Sequence, residues 1–391
     1  MSLLIRDARI ISPGVDLPCA SLWIQGDRIA RIGSAGELPR ASEEIDASGL
    51  LVVPGFIDIH THGVAGVSAM DGTGEALRAM AAAKLTEGVT QFLPTTWTET
   101  PEALERAMHG IAAYREQPDL ARVPGAHVEG PYLNPKCVGA QNPAFVRLPD
   151  LAEVDRLRAI APIRLVSVAV EMEGAIDFVR QLRSWGIVSS LAHTAATYEE
   201  FLAAKAAGLT HLTHFANQMS PLHHRAIGIV GAGLLDNDVM VEVIADGIHL
   251  CPDMLRLVGK LIPAERLMLI TDSISASGQP DGEYMEGGQR VIVRDSVCRL
   301  ESGNLAGSTL RFDRALAIFH ESTGIALSML IAATSWNQAR SLRLEGFGKV
   351  TPGYFADLAL LDAQTLAPVT TIVGGKVVWR GEKISVSSPA V

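Results

Sequence analysis

Short apolar runs recur along the middle of this chain with helix-like segments between them, and that alternation constrains the fold more than any other feature. The runs cover residues 55–60, 89–94, 123–129, 163–171, 187–193, 209–214, 240–246 and 267–272. They are continuous and Val/Ile/Leu-rich, the pattern of strands buried on both faces. Between them, residues 73–87, 101–117, 174–185 and 197–207 carry apolar side chains at near-helical spacing. Repeated β–α units about 25 to 40 residues apart predict an α/β fold, a (β/α)8 TIM-like barrel. The rival, a doubly wound open sheet, places a Gly-rich phosphate loop after its first strand, and His60-Thr61-His62-Gly63 is not one.

Outside that region the texture changes. Residues 1–53 read as short strands, with Gly26-Asp27 as a hairpin turn, and residues 351–391 repeat the pattern around Gly374-Gly375. Each piece is too small to bury a core alone. The expected organisation is a small β-sandwich domain, residues 1–53 plus 351–391, beside a catalytic barrel of residues 54–350. Residues 275–308 contain Gly278, Pro280, Gly282 and Gly287-Gly288 and break the rhythm. They predict a β-rich insertion, a hairpin flap after the eighth strand, followed by helices over 310–322 and 327–339.

A formal net charge of −10 disfavours nucleic acid and anionic membrane surfaces as partners. A small anion remains compatible, because a local Arg/His cluster can hold one. No uncharged apolar run approaches the roughly 18 residues of a membrane span, and the first residues lack a signal-type apolar segment. Cys19, Cys137, Cys251 and Cys298 are far apart with no CxxC pair. That pattern favours neither a disulfide framework nor a thiolate zinc site, and it predicts a cytoplasmic location.

Parallel barrels place their active sites at the C-terminal ends of the strands. Here the runs end on His60-Thr61-His62, Glu129, His193, His214, Asp246 with His249 just beyond, and Asp272. His60 and His62 share one face of a strand, as two ligands of a divalent ion or as a polar pair at a strand–loop junction. Glu129, His193 and His214 form a catalytic-type zinc set with one position open for water; the other reading is three hydrogen-bonded structural residues. The Asp272 carboxylate is costly to desolvate unless a cation is near. Beside a metal-bound water it serves as general base, its alternative role being a turn or N-cap aspartate. Arg225 follows His223-His224 and is either part of a solvated basic loop or an anion clamp. His127 and His211 are expected to point away from the site or to be structural.

In this order the residues resemble the amidohydrolase superfamily, and within it the deacetylases of N-acetylhexosamine 6-phosphates, over nearly the whole length. The similarity is carried by Pro54-Gly55-Phe56-Ile57-Asp58-Ile59-His60, residues 127–132, Leu191-Ala192-His193-Thr194 and Thr213-His214-Phe215-Ala216-Asn217. It continues in Asp246-Gly247-Ile248-His249, Thr271-Asp272, Leu305-Ala306-Gly307-Ser308 and residues 353–358. The resemblance implies that Glu129, His193 and His214 hold the main divalent metal, zinc or iron. It permits a second ion at His60 and His62 with Glu129 bridging, so one or two ions in all. Asp272 would take a proton from the metal-bound water and return it to the leaving amine. His249, Asn217 and the backbone around Gln218 would contact the sugar phosphate, and the loop with Ala306 would close over the acetyl end. Arg225 matches an arginine that reaches across from a neighbouring subunit, which implies a homodimer.

Two positions depart from the family pattern. Gln141 stands where a histidine touching the sugar and the amide oxygen is general; it can donate a hydrogen bond but cannot carry charge. Gln218 stands where a small residue is usual beside the phosphate. The implied reaction is metal-dependent removal of the acetyl group from N-acetylglucosamine 6-phosphate. The alternatives are another N-acyl or cyclic amide substrate, N-acetylgalactosamine 6-phosphate or an unphosphorylated compound among them, and a catalytically silent scaffold. The intact ligand set and Asp272 argue against the scaffold.

Overall fold

The computed structural model describes residues 2–115 and 120–381. Eight strands form one parallel sheet in chain order: β1 (Phe56–Thr61), β2 (Val89–Thr96), β3 (Ala126–Glu129), β4 (Ile163–Val168), β5 (Val188–Leu191), β6 (His211–Leu212), β7 (Met240–Ile244) and β8 (Leu267–Ile270). The seam between β8 and β1 closes just beyond the strand ends. The Asp272 N–H donates to the His60 carbonyl at 2.9 Å, and the His62 N–H donates to the Ser273 carbonyl at 2.8 Å. The barrel is therefore stitched shut by the backbone of candidate site residues.

Eight helices follow the strands: α1 (Gly74–Leu85), α2 (Pro101–Arg115), α3 (Leu151–Ile160), α4 (Ala175–Ser184), α5 (Tyr198–Ala207), α6 (Gly228–Leu235), α7 (Pro252–Leu261) and α8 (Phe312–Thr323). Their starts are written in the sequence. Thr73 caps α1 through its hydroxyl, and Thr197 with Glu200 makes a capping box at α5. On α4 the buried residues Ala175, Phe178, Val179 and Leu182 fall at i, i+3, i+4 and i+7, which turns one apolar stripe to the barrel. Phe178, Val179 and Leu182, buried there, each contribute about 1.5–3 kcal/mol. Residues 116–117 of the predicted second helix lie outside the described residues.

Five strands end sooner than the apolar runs suggest: β4, β5, β6, β7 and β8 stop at Val168, Leu191, Leu212, Ile244 and Ile270. For β5, β6 and β8 the reason is backbone conformation at the site residues: His193, His214 and Asp272 have φ of 45°, 31° and 50°, in the left-handed region that leaves the ladder. The insertion is not a single hairpin but a three-stranded antiparallel sheet, Gly282–Glu286, Gln289–Arg294 and Val297–Leu300. The last predicted helix is broken into Leu327–Leu330, a tight turn Ile331–Thr334 and Trp336–Ser341, because Ser335 leaves helical dihedrals at φ −157°.

Both chain ends build a second sheet. Five strands from the first 54 residues join Leu358–Asp362, Pro368–Val373 and Lys376–Arg380, and Leu50–Pro54 pairs antiparallel with Leu358–Asp362. The turns fall at Gly26-Asp27 and Gly374-Gly375, as the sequence predicts. Ile5, Ile10, Leu22, Ile24, Leu358 and Ile372 form its separate core. Residues 382–391, assigned by sequence to this unit, lie outside the described residues. Among the described residues no helix is long and apolar enough to cross a membrane.

Candidate active site

Glu129 ends β3 and stands between two groups of imidazoles. Its Oε1 lies 3.3 Å from His193 Nε2 and 3.0 Å from His214 Nε2. Its Oε2 lies 3.1 Å from His62 Nε2, and Oε1 lies 3.5 Å from His60 Nε2. The nitrogens also face one another, His193 Nε2 to His214 Nε2 at 3.1 Å and His60 Nε2 to His62 Nε2 at 3.3 Å. Asp272 Oδ1 completes the set, 3.4 Å from His60 Nε2 and 3.3 Å from His62 Nε2.

These contacts fit a metal centre better than a hydrogen-bond network. His193 Nδ1 donates to the Cys137 carbonyl at 2.8 Å, so that in the neutral ring Nε2 turns its lone pair to the Glu129 carboxylate, as a metal ligand would. Tetrahedral ligands held at 2.0–2.1 Å from an ion lie about 3.3 Å apart. The observed spacings of 3.0–3.5 Å match that edge. Two groups can each hold a cation, Glu129–His193–His214 and His60–His62–Glu129, all of them buried.

The electrostatics point the same way. Burial works against protonation of His60, yet the Glu129 and Asp272 carboxylates outweigh it and hold this imidazole well above its ordinary range. Burial pushes Glu129 up, and His60, His193 and His214 more than reverse that, holding it well below the usual carboxylate range. Asp272 is lowered against its burial by His60 and His62. In effect the His60 and His62 imidazoles are drawn into supplying the positive charge that the carboxylates lack.

The other candidates divide. Gln141, Asn217, Gln218 and His249 line one cavity of about 150 Å³ with Glu129, His193, His214 and Asp272. His249 is fixed by its own strand end: Asp246 accepts from His249 Nδ1 at 2.6 Å, and this carboxylate outweighs burial to raise the imidazole. Gln141 is committed to the protein. It donates to Glu129 Oε2 at 2.6 Å and accepts from the Thr98 N–H at 2.7 Å. Ala306 is buried behind the wall, while Leu305 and Gly307 on either side of it line the cavity. A Cβ at Gly307 would come within 2.4 Å of Ile274, and at Gly130, beside Glu129, within 2.1 Å of Thr98, so only glycine fits at these two left-handed positions. Arg225 does not line the cavity; it is exposed, with its guanidinium 2.7 Å from His224 Nε2.

Two histidines set aside by sequence are structural, by different routes. His211 bonds Thr210 and Ser341, away from the cavity. His127 does not point away: two residues before Glu129, it shares that side of β3 and lies edge-on to His60 at 4.6 Å, with Nε2 2.8 Å from Ser167 Oγ. Sequence reasoning missed Trp97, which stacks on His62 at 4.1 Å between centroids and lines the cavity. Its signal was position, one residue past the end of β2. A larger cavity of about 550 Å³ opens at the opposite, N-terminal face, lined by Arg183, Lys205, Arg340 and Arg343 among others, with neither of the two metal-holding groups in its wall.

The comparisons with known proteins agree with this geometry. The model of the amidohydrolase family matches residues 51–378. The N-acetylglucosamine-6-phosphate deacetylase of Lysinibacillus sphaericus is 33% identical over 377 residues, 96% of this chain and 97% of its own. The N-acetylgalactosamine-6-phosphate deacetylase of Escherichia coli O157:H7 is 39% identical over 337 residues, 85% of this chain and 88% of its own. Among solved structures, an aspartate-to-alanine variant of N-acetyl-D-glucosamine-6-phosphate deacetylase from Mycobacterium smegmatis, in complex with N-acetyl-D-glucosamine-6-phosphate, superposes with a TM-score of 0.89. It is 31% identical and covers 97% of this chain and 99% of that one. With carboxylate and imidazoles converging at the strand ends and the family match running through the whole barrel from the strand before it to the last strand of the terminal sheet, the chain belongs to the amidohydrolase family.

Proposed function

We propose that the protein removes the acetyl group from an N-acetylhexosamine 6-phosphate, N-acetylglucosamine 6-phosphate first, giving acetate and the amino-sugar phosphate. The observation that carries this reading is the convergence of Glu129, His193, His214 and Asp272 on one cavity whose wall also holds His249, Asn217 and Gln218. The names of the relatives support the substrate class.

Glu129, His193 and His214 would hold a zinc or iron ion, and His60 and His62 with Glu129 would hold a second where two are bound. A divalent cation bound there polarises an amide oxygen and brings the pKa of water to about 7. Asp272 accepts a proton from the attacking water at Oδ1 and passes it to the leaving nitrogen as the C–N bond breaks. His249 and Asn217, with the backbone at Gln218, contact the sugar phosphate. Gln141 holds Glu129 in place through its 2.6 Å bond and lines the cavity that takes the sugar. Arg225, exposed on its loop, reaches the site of the partner in a homodimer. The folding units are residues 1–53 plus 351–391 and residues 54–350, with the flap at about 275–308. All four cysteines are free, which supports a cytoplasmic location.

The 39% identity to an N-acetylgalactosamine-6-phosphate deacetylase favours a second reading, the galacto epimer as substrate. One experiment tests both. The purified protein, with its cation content measured, is given the two N-acetylhexosamine 6-phosphates and their unphosphorylated forms, and acetate is assayed. Turnover of the gluco phosphate ahead of the others is expected; no acetate from either phosphate by the metal-loaded protein overturns the proposal.

A further inference from the structure

Glu242 sits in the middle of β7 between Val241 and Val243, with no exposure to solvent. Neither of its carboxylate oxygens has a hydrogen-bond partner among the described residues. An acid in that setting works against folding, since a buried carboxylate is tolerated only when paired or bonded. The side chain facing it is His60, whose Nδ1 lies 3.6 Å from Glu242 Oε2 and is itself buried without a partner. A shift of about half an ångström turns this contact into an N–H···O bond and satisfies both residues at once.

We infer that Glu242 is a positioning residue that accepts the Nδ1 proton of His60 and so leaves the Nε2 lone pair turned to Glu129 and Asp272. The inference rests on the reading that His60, His62 and Glu129 take a second cation. His193 provides the internal parallel, its Nδ1 held by the Cys137 carbonyl. Each group of ligands thus has one imidazole whose tautomer is set from behind, once by a carbonyl and once by a carboxylate. Such outer partners tune ligand orientation and basicity, and their loss costs about 10- to 100-fold in metal affinity.

The test uses zinc alone as probe and compares the full chain with Glu242→Met and Glu242→Gln. Zinc per protomer is measured by atomic emission, the affinity of the weaker site by competition with a chelator, and apoprotein stability by melting. Wild type is expected to hold two zinc ions. Glu242→Met should keep the tighter one and lose about 10- to 100-fold at the weaker. Glu242→Gln, whose amide oxygen still accepts, should stay near wild type. A residue kept only for packing would lower apoprotein melting in Glu242→Met and leave zinc affinity alone; the inference requires the loss at the weaker site. Two zinc ions bound with unchanged affinity by Glu242→Met overturn the inference while the two-cation reading stands. One zinc ion in wild type overturns that reading, and the inference with it.

Discussion

Two buried charge clusters meet where β8 returns to β1, and they are built on opposite rules. In the first, Lys84 of α1 extends its ammonium to Asp58 Oδ2 at 3.0 Å, Glu87 Oε2 at 3.2 Å, Thr271 Oγ1 at 3.2 Å and Ser273 Oγ at 3.1 Å. Burial alone would depress this lysine, but Glu87 and Asp58 outweigh it and raise it. The acceptors are satisfied too: Asp58 Oδ2 also takes the Thr271 hydroxyl, and Glu87 Oε2 the Phe312 N–H. In the second cluster ring nitrogens face one another and the carboxylates, and the outer nitrogens of His60, His62 and His214 have no partner among the described residues. A cluster that contains its own cation is part of the scaffold. One that lacks it is a place for a cation from outside. The two interlock at one tripeptide, because Thr271 and Ser273 belong to the first and Asp272, between them, to the second.

The largest effect expected is on turnover. Asp272→Asn should lower kcat by about 10²- to 10⁴-fold, the range of a lost general base, with zinc content and melting temperature near wild type. Full turnover in that variant would erase the functional half of the contrast. Lys84→Met should do the reverse. It strands Asp58 and Glu87 without their cation and should cost about 3–5 kcal/mol of stability in urea unfolding. A cost under about 1 kcal/mol would show the Lys84 cluster to be dispensable, contrary to its fully bonded geometry.

The contrast also explains what could be read from the sequence. The barrel was legible because strands buried on both faces leave continuous apolar runs, and the metal cluster because His60, Glu129, His193, His214 and Asp272 each end such a run. The Lys84 cluster was not. Apart from Glu87, three positions on, its partners lie 26 or more positions away, and a lysine with an i+3 glutamate on an Ala-rich helix reads as a solvated face. Glu242 did leave a trace, an acid inside an apolar run, which strand-tip reasoning passed over. The left-handed φ at His193, His214 and Asp272 left none, since nothing local demands it of these residue types; only the strand ends seen in three dimensions reveal it.

Cation binding sharpens the comparison at smaller amplitude. Zinc at 100 times its dissociation constant should stabilise the apoprotein by about 2.7 kcal/mol, because the unfolded chain has no such site. His193→Ala should remove most of that gain. Lys84→Met, folded but weakened, should keep it, since its cluster holds no ligand of the ion. A melting series with and without zinc separates these cases. Loss of the zinc effect in Lys84→Met would mean that the two clusters act as one.

The smallest expected effect concerns a histidine that belongs to neither cluster. His211 is buried on β6, bonded to Thr210 Oγ1 at 2.9 Å and Ser341 Oγ at 2.7 Å, and burial pushes it down to about 3. His60 is buried as completely, yet its carboxylate neighbours hold it up, so the two show the same desolvation with and without compensating charge. In the unfolded chain His211 titrates near 6.5. Below that pH the unfolded state binds a proton that the folded state refuses. The stability tied to neutral His211 is therefore intact above about pH 6.5 and is lost as pH falls toward 3, by at most about 1.4 kcal/mol per unit. Urea unfolding of wild type and His211→Gln at matched pH isolates this slope, because the carboxylates of the metal cluster titrate alike in both. The difference between the two proteins should shift in favour of the variant by about 1 kcal/mol between pH 6.5 and 5.5. A difference that stays constant over that interval would mean that His211 takes up its proton in the folded protein, and that burial without a compensating charge does not set its state.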